Sequence, residues 1–287
     1  MAENIIYKIR GHEKFPLRDG WLNKGMRAVI ENNNNARIFL EAEAPDVLGV
    51  GSNMVKAIRY WMQATGLLVK NGNREELSTL AQLIYANDPY FEDKFTIWLI
   101  HSKLAKNKEQ ATVWYTFFNR IMMDEFVKGD LQNQINLELY KYIGKKVTEA
   151  SVKEDIDVLL NMYSKSSSRN EDPEDKTISP LSELGLVKKE EDMYIKQQPD
   201  LRIINDDIIL YELSCMFQKE TSISIDKIAT GENSLGAIYN LSRVAVNKYL
   251  DNLEALGAIR VDRTAGLDMV YPENIQTPDA VVQAYYN

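Results

Sequence analysis

Residues 226–271 read DKIATGENSLGAIYNLSRVAVNKYLDNLEALGAIRVDRTAGLDMVY, and the order of signals in this stretch decides the fold. Ile225 to Thr230 forms a short helix, and Leu235 to Tyr239 a second one or its continuation. Asn240-Leu241-Ser242 then supplies a turn and a serine N-cap to a third helix. Its apolar positions Val246, Tyr249, Leu250, Leu253 and Leu256 recur at helical spacing. Gly257 ends that helix, Ala258 to Arg263 reads as a strand, Thr264-Ala265-Gly266 as a turn, and Leu267 to Tyr271 as a return strand. Helix, turn, helix and hairpin in this order predict a winged helix. A capped helix on a compact trihelical core can enter the ~12 Å wide major groove while the hairpin reaches neighbouring phosphates. Arg243 and Asn247 lie one turn apart near the helix start, and Lys248, Arg260 and Arg263 can meet phosphates from flank and wing. Asp251, Glu254 and Asp262 dilute the charge to +1 over residues 243–263, which leaves both nucleic acid and protein open as partners.

Working outward, Leu48 to Lys70 (LGVGSNMVKAIRYWMQATGLLVK) repeats the grammar. Ser52 or Asn53 can cap a helix with Val55, Ile58 and Met62 inward, Gly66 terminates it, and Leu67 to Lys70 leads through Asn71-Gly72 toward a hairpin or turn. Aligned on the two helix-ending glycines, Val55 falls opposite Val246, Ile58 opposite Tyr249 and Met62 opposite Leu253, as a repeated helix-turn-helix unit requires. Residues 52–70 hold Lys56, Arg59 and Lys70 and no acid. With Asn53 at the helix start, this local +3 is a candidate phosphate-facing surface.

The surrounding chain has 287 residues, 45% of them hydrophobic, and a formal charge of −8. That supports one large or two ordinary domains, and confines nucleic-acid contact to local basic patches. The mainly α pattern divides into a helical domain over 1–163, a linker or mobile loop over 164–178, and a winged-helix domain over 179–287. The division rests on SKSSSRNEDPEDKT (164–177), which has no large apolar side chain. Short strand signals fall at Leu67–Lys70, Leu184–Lys188, Met193–Lys196, Ile259–Asp262 and Asp268–Tyr271, and an aromatic helix is expected over Ala111–Phe126. One cysteine, Cys215, excludes an intrachain disulfide and multi-cysteine metal sites, and its apolar neighbours predict a buried structural thiol. No apolar run of about 18 residues and no signal sequence occur, so a soluble cytoplasmic protein is expected.

Catalytic signatures are sparse. There is no GxxxxGK[ST] loop and no HExxH, and Gly49-Val50-Gly51 lacks the third glycine of a dinucleotide fingerprint. Two acidic constellations remain. Asp46 with Glu92 and Lys94 can be drawn as a PD…ExK-like metal nuclease site, because paired carboxylates hold Mg²⁺ or Mn²⁺ while a lysine stabilises charge at phosphorus. The bland reading makes Asp88-Pro89 a turn and Glu92 and Asp93 first-turn helix charges. His12-Glu13, near Arg18, can bind a metal or phosphate, or serve as a hydrogen-bonded structural pair.

Gly11–Arg18 (GHEKFPLR) with Trp21-Leu22, then 48–67, Asp88–Asp93 (DPYFED) and Ser179–Leu186 (SPLSELGL), resemble a bacterial domain-of-unknown-function family that looks like the SspB component of Ssp-type DNA phosphorothioation systems. The resemblance spans nearly the whole chain. It implies a DNA-nicking partner of a cysteine desulfurase, an ATPase and a sulfurtransferase-like enzyme, which together mark one DNA strand with sulfur in phage defence. No catalytic residue is carried over from it. Three functions therefore compete: a DNA-binding nickase, a non-catalytic winged-helix adaptor, and a transcriptional regulator. Whether the two helix-turn-helix units act on one duplex or belong to two protomers of a homodimer is left open by the sequence.

Overall fold

A computed structural model describes residues 5–164, 178–266 and 268–287. The chain forms two compact units, Met1–Gln197 and Gln198–Asn287. Of the expected linker, residues 165–177 lie outside the described residues, while Ser164 closes a helix. Where the sequence reading opens its second domain at 179, the second compact unit begins at Gln198, because a strand after residue 179 pairs back into the first unit.

The first unit runs α1 (Trp21–Glu31), α2 (Ala44–Leu48), α3 (Ser52–Ala64), β1 (Leu68–Asn71), β2 (Arg74–Leu77), α4 (Thr79–Asn87), α5 (Lys94–Lys106) and α6 (Thr112–Arg120). It continues with β3 (Glu125–Phe126), α7 (Lys128–Ile143), α8 (Glu149–Ser164), β4 (Val187–Glu190) and β5 (Met193–Lys196). The strands β1 and β2 form an antiparallel hairpin, and β3, β5 and β4 a small antiparallel sheet in that order. The second unit runs α9 (Asp206–Phe217), β6 (Ile223–Ser224), α10 (Ile225–Ala229), α11 (Leu235–Tyr239), α12 (Arg243–Ala255), β7 (Ile259–Asp262), β8 (Met269–Pro272) and α13 (Pro278–Tyr286), with strand order β6-β8-β7. The protein is mainly helical with small antiparallel sheets, as the periodicity predicts.

Both glycine-ended helices terminate alike. Gly66 (φ 69°) and Gly257 (φ 73°) take the left-handed conformation that costs other residues energy. Leu67 N donates to Met62 O at 2.8 Å and Gly66 N to Gln63 O at 3.2 Å; Ala258 N donates to Leu253 O at 3.0 Å and Gly257 N to Glu254 O at 2.9 Å. These paired bonds satisfy carbonyls that a helix end otherwise leaves open. Helix length and first strand also keep the same spacing from the glycine in both segments. The starts differ. Ser242 caps α12, its hydroxyl accepting from Ala245 N at 3.3 Å, whereas α3 begins at Ser52 with Gly51 as N-cap and no side-chain cap.

The aromatic helix is shorter than its pattern suggests. The α6 helix stops at Arg120, Ile121 is extended, and Phe126 belongs to β3. Lys196 explains the stop: its ammonium donates to Phe117 O at 2.6 Å and Ile121 O at 2.7 Å and lies 4.4 Å from the Phe117 ring centroid. A cation at a helix C-terminus meets the negative end of the dipole. Burial nevertheless lowers its pKa to about 7. Cys215, expected to be buried, is half-buried.

The N-terminal loop is tied into the core by His12. The ring is fully buried, accepts from Lys14 N at Nδ1 (3.1 Å) and bonds Asp155 Oδ1 through Nε2 at 3.0 Å. It stacks on Trp61 and meets Trp114 and Tyr60 edge-on. Asp155, buried on α8, also accepts from Arg10 N at 2.9 Å, and Trp61 Nε1 donates to Phe15 O at 3.1 Å. Burial raises the Asp155 carboxyl pKa above its usual range, and the His12 bond opposes that rise.

Two outcomes follow from these contacts. His12→Ala strands a buried carboxylate and is expected to destabilise the first unit by about 3–5 kcal/mol in urea unfolding. Because the folded-state pKa of Lys196, about 7, lies below its ordinary value of 10.5, the unfolded chain binds more protons between these two values. Stability should rise with pH across that window, and Lys196→Met should flatten the rise.

Candidate functional site

The first surface is the α3–β1–β2 face. With Val55, Ala57, Ile58, Tyr60, Trp61 and Met62 buried, α3 turns Asn53 and Lys56 outward and leaves Arg59 and Gln63 half-buried on the same stripe. Lys56 Nζ donates to Asn53 Oδ1 at 3.3 Å. Lys70 is exposed on β1, opposite Glu75 in the register, and Arg74 is exposed at the hairpin turn. Arg59 forks onto Glu75 Oε2 with Nε at 3.0 Å and an Nη at 2.7 Å. Gln63 Nε2 donates to the other oxygen at 2.7 Å. Lys8 joins this group, 5.4 Å from the Tyr60 ring centroid, and its pKa is lowered by burial first and then by the Arg59 charge. The acid-free window is therefore compensated in space by an acid five residues beyond it.

The second surface is α12 with the β7–β8 hairpin. Arg243 pairs with Asp226 at 2.9 Å and Asp268 at 3.6 Å, and Arg263 with Asp251 at 2.6 Å while donating to Asn247 Oδ1 at 3.2 Å. Asn247 donates to Arg243 O at 2.9 Å. Arg260 lies over the Tyr271 ring at 4.4 Å and 3.9 Å from Glu273. Lys248 is exposed. Val244 is 81% exposed at the helix start, so the face is apolar as well as charge-paired. Residues 52–77 hold four basic and two acidic side chains, against four and four over 243–272. The first face is the more cationic.

The third feature is a cleft of about 1110 Å³ in the first unit, lined by Asp19, Gly20, Tyr90, Glu92, Ser182, Glu183, Lys188 and Lys189 among others. Its rim at 88–93 is held rigid: Asp88 accepts from Glu92 N at 2.9 Å and Asp93 N at 3.1 Å, Asn23 Nδ2 donates to Pro89 O at 2.9 Å, and Phe91 sits at φ 59°. Asp93 caps α5 through Phe95 N at 2.9 Å. Segments 88–93 and 179–186, distant in sequence, share this cleft.

The five residues considered for cutting separate. His12 is closed from solvent with both ring nitrogens engaged, which leaves it no electron pair for a metal. Glu13 is exposed beside it. Asp46 is exposed on α2 and does not line the cleft, Glu92 does, and Lys94 is paired with Glu183. Among the described residues no three His, Cys, Asp or Glu side chains gather to hold a metal. The set thus does not fit a protein-held Mg²⁺ or Mn²⁺ site. Lys8, Glu75, Asp19 and Lys188 carry no signal in the sequence; the first two meet the α3 stripe only through the fold, and the last two, beside Arg18 and Lys189, belong to no pattern that spacing reads.

The chain belongs to the family described as "Protein of unknown function (DUF4007)", whose model matches residues 9–286. It has the fold of two solved structures. One, "SspB crystal structure", is 24% identical with a TM-score of 0.83 over 96% of this chain and 86% of that one. The other, "Magnesium ion-bound SspB crystal structure", is 24% identical with a TM-score of 0.85 over 97% and 88%. No curated protein matches the chain. Among the described residues no helix is long and apolar enough to cross a membrane.

The cleft rim makes its own prediction. Asp88→Ala removes one acceptor for two amides, and hydrogen exchange at Glu92 and Asp93 is expected to quicken by roughly tenfold, the equivalent of one ~1.4 kcal/mol hydrogen bond.

Proposed function

We propose that this protein is a DNA-binding component of a bacterial DNA phosphorothioation system, and that it holds duplex DNA on the α3–β1–β2 face of its first unit. Both units are read as winged helices: a trihelical core, a helix ended by a left-handed glycine, and a hairpin wing. The observation that carries the DNA reading is the α3 face itself, where exposed Asn53 and Lys56, the wing residue Lys70 and the half-buried Arg59 lie together on a chain of net charge −8. Neither helix has a first-turn acid, but unlike α12, which Ser242 caps, α3 has no side-chain cap, so its N-terminal N–H groups favour a phosphate. The counterpart residues Arg243, Asn247, Lys248, Arg260 and Arg263 add a weaker second contact, since all but Lys248 are already engaged within their own unit.

The likeness to SspB structures supports the phosphorothioation link; the proposed partners, a cysteine desulfurase, an ATPase and a sulfurtransferase-like enzyme, and the cytoplasm as the place of action follow from the family resemblance of the motifs. Nicking is part of this reading, and of the residues considered for it Glu92 alone lines the cleft. The magnesium-bound neighbour is compatible with Mg²⁺ as the ion that cutting would require, although the five residues considered do not gather round one. The adaptor reading draws on one observation, the exposed Val244 on the charge-paired α12 face.

Binding of a labelled duplex followed by anisotropy across a salt series tests the DNA reading. Lys56→Glu with Lys70→Glu should lower affinity at least tenfold and flatten the log–log salt slope by roughly 1.8, whereas Lys248→Glu changes less. Binding independent of salt in the native chain sinks it. Supercoiled plasmid relaxed by the native protein with Mg²⁺ or Mn²⁺, but not by Glu92→Gln, would put cutting at the cleft; plasmid left closed in the presence of tight binding removes nicking and keeps the binding role.

A further inference from the structure

We infer that Glu75 is an affinity-setting residue that occupies, on the α3 face, the place of a DNA backbone phosphate; this rests on the DNA-binding reading of that face. One carboxylate here receives what a phosphate would. Arg59 delivers Nε and an Nη to Oε2 at 3.0 and 2.7 Å, and Gln63 delivers its amide to Oε1 at 2.7 Å. Such charge-assisted forks are the strong class of hydrogen bond and match carboxylate and phosphate equally. Lys70 sits across the hairpin from Glu75, and Lys8 is held near enough that Arg59 and Lys70 depress its pKa while Glu75 raises it. One arginine and one amide thereby bond both oxygens of a single anion, with Lys70 opposite it on the hairpin.

Burial separates this pair from the others. The Arg59 and Glu75 side chains are 29% and 15% exposed, against 40% and 59% for Arg263 and Asp251 on the second unit. Exposed pairs exchange readily with water or a competing anion, whereas a partly desolvated pair with both carboxylate oxygens bonded does not. Two of the four polar side chains on the α3 stripe, Arg59 and Gln63, are consequently committed to the wing before DNA arrives. An incoming phosphate must either displace the Glu75 carboxylate or avoid it. Neutralising Glu75 should release Arg59 for one further phosphate contact, without disturbing Asn53 or Lys56.

The test is a cycle of Glu75→Gln, Arg59→Ala and the double variant, each titrated with the same labelled duplex over a salt series and each checked by thermal unfolding. Glu75→Gln should bind several-fold tighter, with a salt slope steeper by about 0.9, the value of one added phosphate contact. Arg59→Ala alone leaves the Glu75 carboxylate without its cation and should bind no tighter than the native chain, and in the Glu75→Gln background it should erase the gain. The inference is overturned by a folded Glu75→Gln protein that binds no tighter. It is equally overturned if Arg59→Ala leaves the gain of Glu75→Gln intact, since that gain would then not run through Arg59. Should Glu75→Gln fail to fold, Glu75→Ala takes its place, with the same gain expected and no gain overturning the inference. Failure of the underlying reading looks different: the native chain then shows no salt-dependent binding and Lys56→Glu changes nothing, which removes both claims together.

Discussion

The first unit is organised by the bond between His12 and Asp155 inside an aromatic box. The His12 ring could not lie buried against Trp61 and Trp114 unless both its nitrogens were met, since a buried unpaired polar group costs ~1–3 kcal/mol. One imidazole meets several needs, accepting from Lys14 N and bonding the carboxylate that also receives Arg10 N. The pair joins the N-terminal loop to α8 across the long sequence gap, and the stacked Trp61 ties both to α3. The basic face of α3 and the rim of the cleft are built on elements that this contact holds. A residue that looks catalytic by type, His beside Glu near Arg, is consumed by the scaffold.

The repeated segments show how one backbone device can serve surfaces of different character. In each, a left-handed glycine ends a helix, two reverse hydrogen bonds close it, and a hairpin follows at the same spacing. What distinguishes them is where acids fold back. On α12, Asp226, Asp251 and Asp268 each reach an arginine. On α3, Glu75 alone takes Arg59, and Lys56 and Lys70 keep their charge at the surface. Electrostatics of the face is a matter of pairing and burial, not of the count of lysines and arginines in a window.

The cleft is the complementary case, in which segments with nothing in common as motifs become neighbours. DPYFED supplies a rim made rigid by the Asp88 carboxylate and a left-handed Phe91, and SPLSELGL supplies Ser182 and Glu183 opposite it. Lys94 pairs with Glu183 and so is spent between these two segments. That arrangement breaks up the PD…ExK pattern: Asp46 stays on α2, and Glu92 alone of the set faces the cleft.

Local physics made much of this legible in advance. Helical spacing locates α3 and α12, the glycines locate two helix ends, and Ser242 is readable as a cap, because each depends on residues within one turn of one another. The alignment of Val55 with Val246 and Met62 with Leu253 followed from the same short-range rules. Tertiary structure alone decided the rest. The α6 helix ends early because Lys196, from a strand far along the chain, caps its carbonyls. The second unit starts at Gln198 because β5 pairs with β3. Arg59 loses its free charge because a two-residue hairpin turn brings Glu75 back over α3. Periodicity reports which face of an element is buried, but a charge's partner is set by contacts between elements, and no spacing rule within one element contains them.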